Sequence, residues 1–454
     1  MSYNFHAYGQ DQLFLMPPSV QEWVAEDSLV RFVSEVVDGL EESGRLASFF
    51  AYYREDGWGA AAYHPVLMVK VLLYGYSIGQ TSSRKLAEAL RMDVGFRYLA
   101  ANQQPDHRTI AAFRTTHREA LEGLFVEILQ LCKQTGLVKL GRVALDGRRV
   151  AGSAAQDANR TRAQLEEEVK QLLGEAARKD AEEDAQYGLE EGGNELPAAL
   201  KNPKERLKRL QQALVELEVK EKALQEEQRK KVEAREAEQK RTGKKKPGKQ
   251  PRSPEQVKLP EKARANASDP ESRLTKNRRG YVQGYNGQAM ADCESQVIVA
   301  QALTNAETDY AQFIPMLKRC KEQAGEAPKQ ALADSGYWSE AVGGRDGEGG
   351  TEFLIAPIYF AKEAEGQHPE RDRMAEKLKG EDGKAAYAQR CSTIEPVFGQ
   401  MEMRNLRRFC LRGMKKVKLE WSLWCTTHNL LKLWRAKLRP NAAMIQRKAA
   451  LQAA

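Results

Sequence analysis

The sequence predicts an α/β protein: a mixed-sheet core, a helical domain before it, and a charged helical hairpin inserted within it. Three observations predict this. Residues 1–139 carry apolar side chains at helical spacing behind cap residues. Residues 160–252 are dominated by Glu, Lys, Arg, Gln and Leu. From Arg278 the apolar period changes to two, and short strands then alternate with helices. With 454 residues the chain is long enough for two or three domains and a sizeable core. The expected segments are a helical domain (1–139), the first part of the core (140–159), the hairpin and a linker (160–252), the rest of the core (253–403), and a basic helical end (404–454).

In the first segment, Pro65 suits the first turn of a helix through Pro-Val-Leu-Met-Val-Lys-Val-Leu-Leu. Ser82 and Ser83 open a second, and Asp106 or Thr109 caps a long third with Ile110, Phe113, Leu121, Phe125, Ile128 and Leu131 as its stripe. Arg84, Lys85, Arg91, Arg97, Arg108, Arg114 and Arg118 are expected outside these helices. That is the pattern of a DNA-binding module and equally of ordinary solvated charge. His64, His107 and His117 do not form a metal-ligand set and read as capping or surface residues.

The run Val143–Val150, Val-Ala-Leu-Asp-Gly-Arg-Arg-Val, either delivers Asp146 to a strand end or makes an Asp-Gly hairpin turn. In the hairpin that follows, Leu207, Leu210, Leu214, Leu217 and Leu224 keep 3–4 spacing, interrupted by Glu221, and Leu165, Val169, Leu172 and Ala176 start a matching stripe. This is the signature of a coiled-coil seam. Arg241–Arg252 contains six basic residues and no acid, among them Lys244, Lys245 and Lys246, and reads as a basic linker able to lie along phosphates.

Beyond it, Tyr281–Ala291 and Gln296–Leu303 form a β-hairpin around Asp292-Cys-Glu-Ser, and Thr308 or Asp309 caps a helix through Phe313 and Leu317. A strand over Gln330–Ala333 ends on Asp334, a short helix falls near Tyr337–Val342, and another strand covers Glu352–Ala356. Glu395 is expected at the foot of a helix, with Pro396 in its first turn. Between Arg404 and Arg439 eleven basic residues face the single acid Glu420, interleaved with Trp421, Trp424 and Trp434, a basic amphipathic pattern fit to dock on the core and meet phosphate.

The net charge of +8 and pI near 9.0 favour an anionic partner such as nucleic acid. Six scattered cysteines include no C-x-x-C pair, which points to reduced thiols rather than zinc or disulfides. The first residues lack the features of a signal peptide, and no apolar run reaches the roughly 18–20 residues of a membrane span. The expected location is therefore cytoplasmic, associated with the nucleoid. No P-loop is present, so nucleotide-fuelled motion is not expected.

Three acids stand out: Asp146, Asp334 and Glu395. Carboxylates gathered in one pocket repel each other unless cations neutralise them. Hard oxygen ligands suit Mg²⁺ or Mn²⁺, and two such ions about 4 Å apart drive in-line phosphoryl displacement. Each acid also has a plainer role. Asp146 suits the turn already described, Asp334 suits a helix N-cap, and Glu395 completes a capping box with Ser392. Asp292 and Asp309 are further acids in structural positions.

Four blocks recur in order: Ala144-Leu-Asp-Gly; Asp269-Pro-Glu-Ser-Arg-Leu with Gly280-Tyr-Val-Gln-Gly-Tyr-Asn-Gly-Gln; Leu332-Ala-Asp-Ser-Gly-Tyr-Trp; and Ile394-Glu-Pro-Val-Phe-Gly. On these the chain resembles the DDE transposases of bacterial insertion sequences, the group with an InsH-like N-terminal domain. The resemblance implies an RNase H-like core, with Asp146, Asp334 and Glu395 as ligands of two Mg²⁺ (or Mn²⁺) ions. It also implies an N-terminal domain that binds the element's ends, double-stranded DNA as element end and target, and a homodimer or higher synaptic assembly, with no membrane partner. Arg390, Arg404, Arg407, Arg408, Lys415, Lys416 and Lys244–Lys246 are the expected DNA-binding cations.

Two departures stand out. The family often shows Tyr-x₂-Arg-x₃-Glu-x₆-Lys, whereas here Arg390 lies one residue too far from Glu395 and Glu402 occupies the lysine position. An inactive DNA-binding derivative and an interaction scaffold built on the Leu-seamed hairpin are the alternatives to an active transposase.

Overall fold

The computed structural model describes residues 19–54, 61–187, 201–243, 251–277, 280–357 and 368–438. The chain divides into two compact units. One comprises Met1–Lys139, Glu294–Val299 and Ser422–Ala454, and the other Leu140–Cys293 and Ala300–Trp421.

Side-chain caps start several helices of the first unit. Ser28 accepts the Arg31 N–H at the head of α1 (Leu29–Glu42), which is followed by the single turn α2 (Ala47–Phe50). Pro65 opens α3 (Pro65–Ser77), as its fixed φ predicts. Then come α4 (Ser83–Met92) and α5 (Val94–Leu99), the latter capped by Asp93. The expected long third helix is two: α6 (His107–Thr116), capped by Asp106 through the Thr109 N–H at 2.7 Å, and α7 (Arg118–Gln134).

The break falls at His117, which stands at the cap position of both helices, its Nδ1 3.2 Å from the Phe113 carbonyl, and is buried, not exposed. Its ring stacks on Phe113 with centroids 4.1 Å apart, and burial holds the imidazole below its ordinary pKa. Arg114, expected outside, is also buried, donating to Ser83 at 2.9 Å and to Tyr76 at 3.4 Å. Arg84, Lys85, Arg91 and Arg108 are exposed.

The second unit is built on a six-stranded mixed sheet. Its centre is β1 (Arg142–Ala151), which runs straight through Asp146-Gly147, so the Asp-Gly turn does not form and Asp146 is not at the strand's end. After β2 (Asn159–Thr161) come two long helices, α8 (Arg162–Tyr187) and α9 (Lys201–Thr242). Ion pairs Arg162–Glu221 at 2.7 Å and Arg206–Glu168 at 3.1 Å show that they run antiparallel.

Their seam is Leu165, Leu210, Ala213 and Leu217, completed by Ala265. Leu224 is exposed, because α8 begins opposite Glu221 and offers nothing beyond it to pack against. The short strand β3 (Arg264–Asn266) pairs antiparallel with β2 and closes the base of this excursion. Lys244, Lys245 and Lys246 lie outside the described residues.

β4 (Arg273–Asn277) and β6 (Ile298–Thr304) both pair with the long strand β5 (Gly280–Asp292). β5 pairs antiparallel with the whole of β1 from Val143↔Asp292 to Ala151↔Gly284. The helix α10 (Phe313–Ala324) leads to β7 (Gln330–Ala333), parallel to β1. The single turn α11 (Glu340–Gly343) leads to β8 (Glu352–Ile355), parallel to β7. The sheet is therefore mixed, as alternating strands and helices after a hairpin predict.

The short helix α12 (Pro369–Lys379) precedes α13 (Glu381–Met403), which packs on β1. The last helix is α14 (Met414–Leu438). Its Trp421, Leu423, Trp424, Leu430 and Leu431 side chains are buried as expected, but the burial is not one-sided: residues 421–431 are buried without interruption. Two of its buried polar side chains are bonded to backbone outside the helix. In the first unit Asn429 both donates to and accepts from the Ile298 backbone at 2.8 Å, and in the second Glu420 accepts the N–H groups of Cys410 and Leu411 at 2.9 Å. No helix among the described residues is long and apolar enough to cross a membrane.

Candidate active site

Parallel pairing of β1 with β7 sets the site. Ala144 lies opposite Leu332, and pairing of these two strands ends there. Two residues further on stand Asp146, within β1, and Asp334, one residue past the end of β7, so period-two alternation carried through that residue puts both on one face at the same level of the sheet. Burial first, then the Asp334 charge, push the Asp146 carboxyl up to about 6, with Asp309 adding to the push. The Gly147 N–H, donating to Asp146 at 2.7 Å, and the Arg390 guanidinium, 3.3 Å from it, oppose the rise. Asp334 also plays its plainer role, accepting the Gly336 N–H at 3.0 Å as an N-cap.

The helix α13 supplies the rest of this face. Arg390 stacks over Tyr387 at 5.8 Å and lies in the field of both aspartates. Glu395 is neither at a helix foot nor in a capping box. It sits in mid-helix and is exposed, while Ser392 donates to the Gln389 carbonyl. Pro396, expected in a first turn, lies inside the helix. Among the described residues, no hydrogen bond or ion pair ties Glu395 to the two aspartates, and no group of three or more His, Cys, Asp or Glu is placed to hold a metal ion. Glu402 pairs with Arg148, two residues beyond Asp146 on the same face of β1, so a cation does stand beside the position where the family carries lysine.

Sequence reasoning gave Asp309 a structural role but not its partners. Expected at a helix start, its carboxylate instead accepts Asn286 Nδ2 and Gln288 Nε2, both at 2.6 Å, with Arg149 3.7 Å away. Tyr337 donates to Gln288 Oε1 at 2.5 Å, and its hydroxyl is held well above the usual tyrosine range by burial and by the charges of Asp309, Asp146 and Asp334. This amide ladder lies against the side of β1 opposite Asp146, under Gly147. Asp292, the other spare acid, accepts the buried Leu140 N–H at 3.2 Å. No local pattern marks Asp309, since its partners lie on β5 and meet it only in the folded sheet.

Asp309→Asn replaces a carboxylate that accepts two amides with a group that must itself donate. It is expected to cost about 1.5–3 kcal/mol, the worth of hydrogen bonds to a charged group, read as a lower denaturant midpoint. An unchanged midpoint would mean that the ladder supports nothing.

The other expected DNA-binding cations are dispersed. Arg404 ends α13 with its Nε 3.4 Å from the Gln400 carbonyl, whereas Arg407, Arg408, Lys415 and Lys416 are exposed. Oxygen-only donors of the Asp146–Asp334 kind, one of them destabilised by burial and by its neighbour's charge, fit a hard divalent cation in chemistry. The two aspartates meet that requirement, and Glu395 does not join them in this conformation.

Two family models match the chain: one described as a transposase domain (DUF772) over residues 18–116, and one as a transposase DDE domain over residues 358–434. The second spans Tyr387, Arg390 and Glu395 but neither aspartate. No curated protein and no solved structure matches the chain in the corresponding comparisons.

Proposed function

We propose, for a chain whose two family matches support a DDE-type insertion-sequence transposase, that it cleaves DNA strands at the ends of its element and joins them to a target. The observation that carries this reading is the parallel register that sets Asp146 and Asp334 side by side, with burial driving the Asp146 carboxyl up to about 6. Asp146 and Asp334 would hold divalent ions (Mg²⁺, with Mn²⁺ able to substitute), with Glu395 brought up from α13 as the third ligand. Two such ions, when bound, supply charge stabilisation at the attacking and leaving oxygens of an in-line phosphoryl displacement.

The chain's own residues hold that arrangement. The Gly147 N–H fixes one Asp146 oxygen, and Arg390 neutralises the other until the site is loaded. The mixed sheet with Asp146 on its central strand supports an RNase H-like core, and the Leu-seamed pair α8–α9 supports a coiled-coil insertion. Exposed Arg407, Arg408, Lys415 and Lys416 suit phosphate contacts, with Arg404 beside them in sequence and Lys244–Lys246 as a further basic run. Joining two DNA ends calls for a dimer or higher assembly, and for a protein resident at the nucleoid.

The test is nicking of a supercoiled plasmid that carries the element's ends. Nicks are expected with Mg²⁺ and none with EDTA; equal nicking in EDTA would reject the reading. Glu395→Gln is expected to slow nicking about 100-fold or more, the scale of losing a transition-state charge stabiliser. Wild-type rates from it would remove Glu395 from the site and leave the aspartate pair standing.

A further inference from the structure

A cleft of about 860 Å³ in the second unit is lined by none of the acids just described. One wall is α9 from Glu205 to Glu216; the other is the 268–271 loop with the turn at 412–416. Eight charged side chains line it, four of each sign, yet the acids are mostly committed. Glu216 pairs with Arg273 at 2.8 Å, and Glu271 accepts the Met414 N–H at 2.8 Å. Asp269, 1% exposed, accepts the Tyr285 hydroxyl at 2.8 Å and the Gly413 N–H at 3.3 Å. Only Glu205 remains fully toward solvent.

The cations are placed differently. Lys208 and Lys416 are exposed on opposite walls. Arg209 and Arg412 are steadied through their Nε groups, which donate to the Glu205 and Ser153 carbonyls at 3.1 and 2.7 Å. Apolar lining is confined to Val215, Pro270 and Gly413, too little for the buried anchor that a protein partner needs.

We infer that this cleft grips the phosphodiester backbone of DNA, and that the inserted helix α9 is a DNA-binding wall rather than a spacer. A polyanion with regularly spaced charges fits two facing pairs of cations and needs no apolar pocket. The inference rests on the transposase reading, which makes DNA the polyanion the chain meets.

The test uses the full chain and a fluorescent duplex of about 30 base pairs lacking any element end, titrated from roughly 50 to 300 mM KCl, where each phosphate contact contributes close to one unit of log–log salt slope. Lys208→Glu/Arg209→Glu is expected to weaken binding about 10-fold or more and to flatten the slope by about two. Lys208→Gln/Arg209→Gln should do less in the same direction. Lys208 is exposed and Arg209 half-buried on α9, and an unchanged circular dichroism melt confirms the fold.

Wild-type affinity and slope in both variants, with normal wild-type binding, would overturn this inference alone. A wild-type chain that binds no DNA would overturn the transposase reading together with it. Displacement of DNA by poly-glutamate at equal charge would reassign the cleft to an acidic protein.

Discussion

Asp146→Asn is expected to abolish Mg²⁺-dependent nicking while making the metal-free chain more stable at neutral pH. The first half follows from the loss of a carboxylate that neutralises and positions cations, for which a rate loss of about 10³-fold or more is the ordinary scale. The second half follows from linkage. The folded-state carboxyl is raised from 3.8 to about 6, chiefly by burial. The folded chain therefore holds this proton more tightly than the unfolded chain between those two pH values. Its contribution to stability is fully present below pH 4, is lost as pH rises through about 6, and stays lost at pH 7.

Asparagine mimics the protonated form at every pH, so the variant escapes that loss. A rise from 3.8 to about 6 sets a ceiling of about 3 kcal/mol. Partial exposure of the group and loss of the Arg390 contact at 3.3 Å trim this, leaving about 1–2 kcal/mol. Denaturant midpoints in EDTA should coincide for the two proteins near pH 4 and separate in favour of the variant at pH 7. A variant less stable at pH 7 would show that Asp146 and Arg390 form a structural ion pair. Such an outcome would count against the catalytic reading, because a site kept for function is held at some cost in stability.

The sequence made part of this site legible, and the limits are physical. Asp334 was readable because a short apolar strand ends on it and the next residues turn. Asp146 was not placed within its element, since Asp-Gly suits a turn as well as a strand. The choice was made by β5, whose pairing across the whole of β1 leaves no room for a turn. For Glu395, Ser-x-x-Glu matches a capping box, but Gly380 already precedes the helix, so the pattern falls in mid-helix and its serine bonds backwards. Helix α14 shows the same lesson: lysines and arginines at its two ends gave an amphipathic composition, while the middle is wholly buried. Patterns set by neighbours in sequence were visible. Those set by which strand lies alongside were not.

Gly147→Ala tests the support beneath the aspartates, and it is expected to damage both stability and activity. The position needs no unusual backbone; what it lacks is space. A Cβ there would lie 2.3 Å from Gln288 Nε2, 2.7 Å from Asp309 Oδ1 and 2.8 Å from Asn286 Oδ1. These are ends of side chains, and ends usually swing aside at small cost. Here they are tied together, since both amides donate to the same Asp309 oxygen at 2.6 Å and Tyr337 holds the far end of Gln288.

Admitting a methyl group therefore means breaking at least one hydrogen bond to a half-buried charge as well as overpacking the sheet. Together these cost about 2–5 kcal/mol. Because the Gly147 N–H also holds Asp146, a shift of β1 misplaces that carboxylate, and misplacement by about 1 Å is worth roughly 100-fold in rate. Removing the nearest obstacle should undo part of the damage: Gly147→Ala/Gln288→Ala is expected to be more stable than the sum of the two single changes predicts, by about 1 kcal/mol or more. Strict additivity, or a Gly147→Ala protein that melts and nicks as wild type does, would mean that the amide ladder does not brace the strand that carries Asp146.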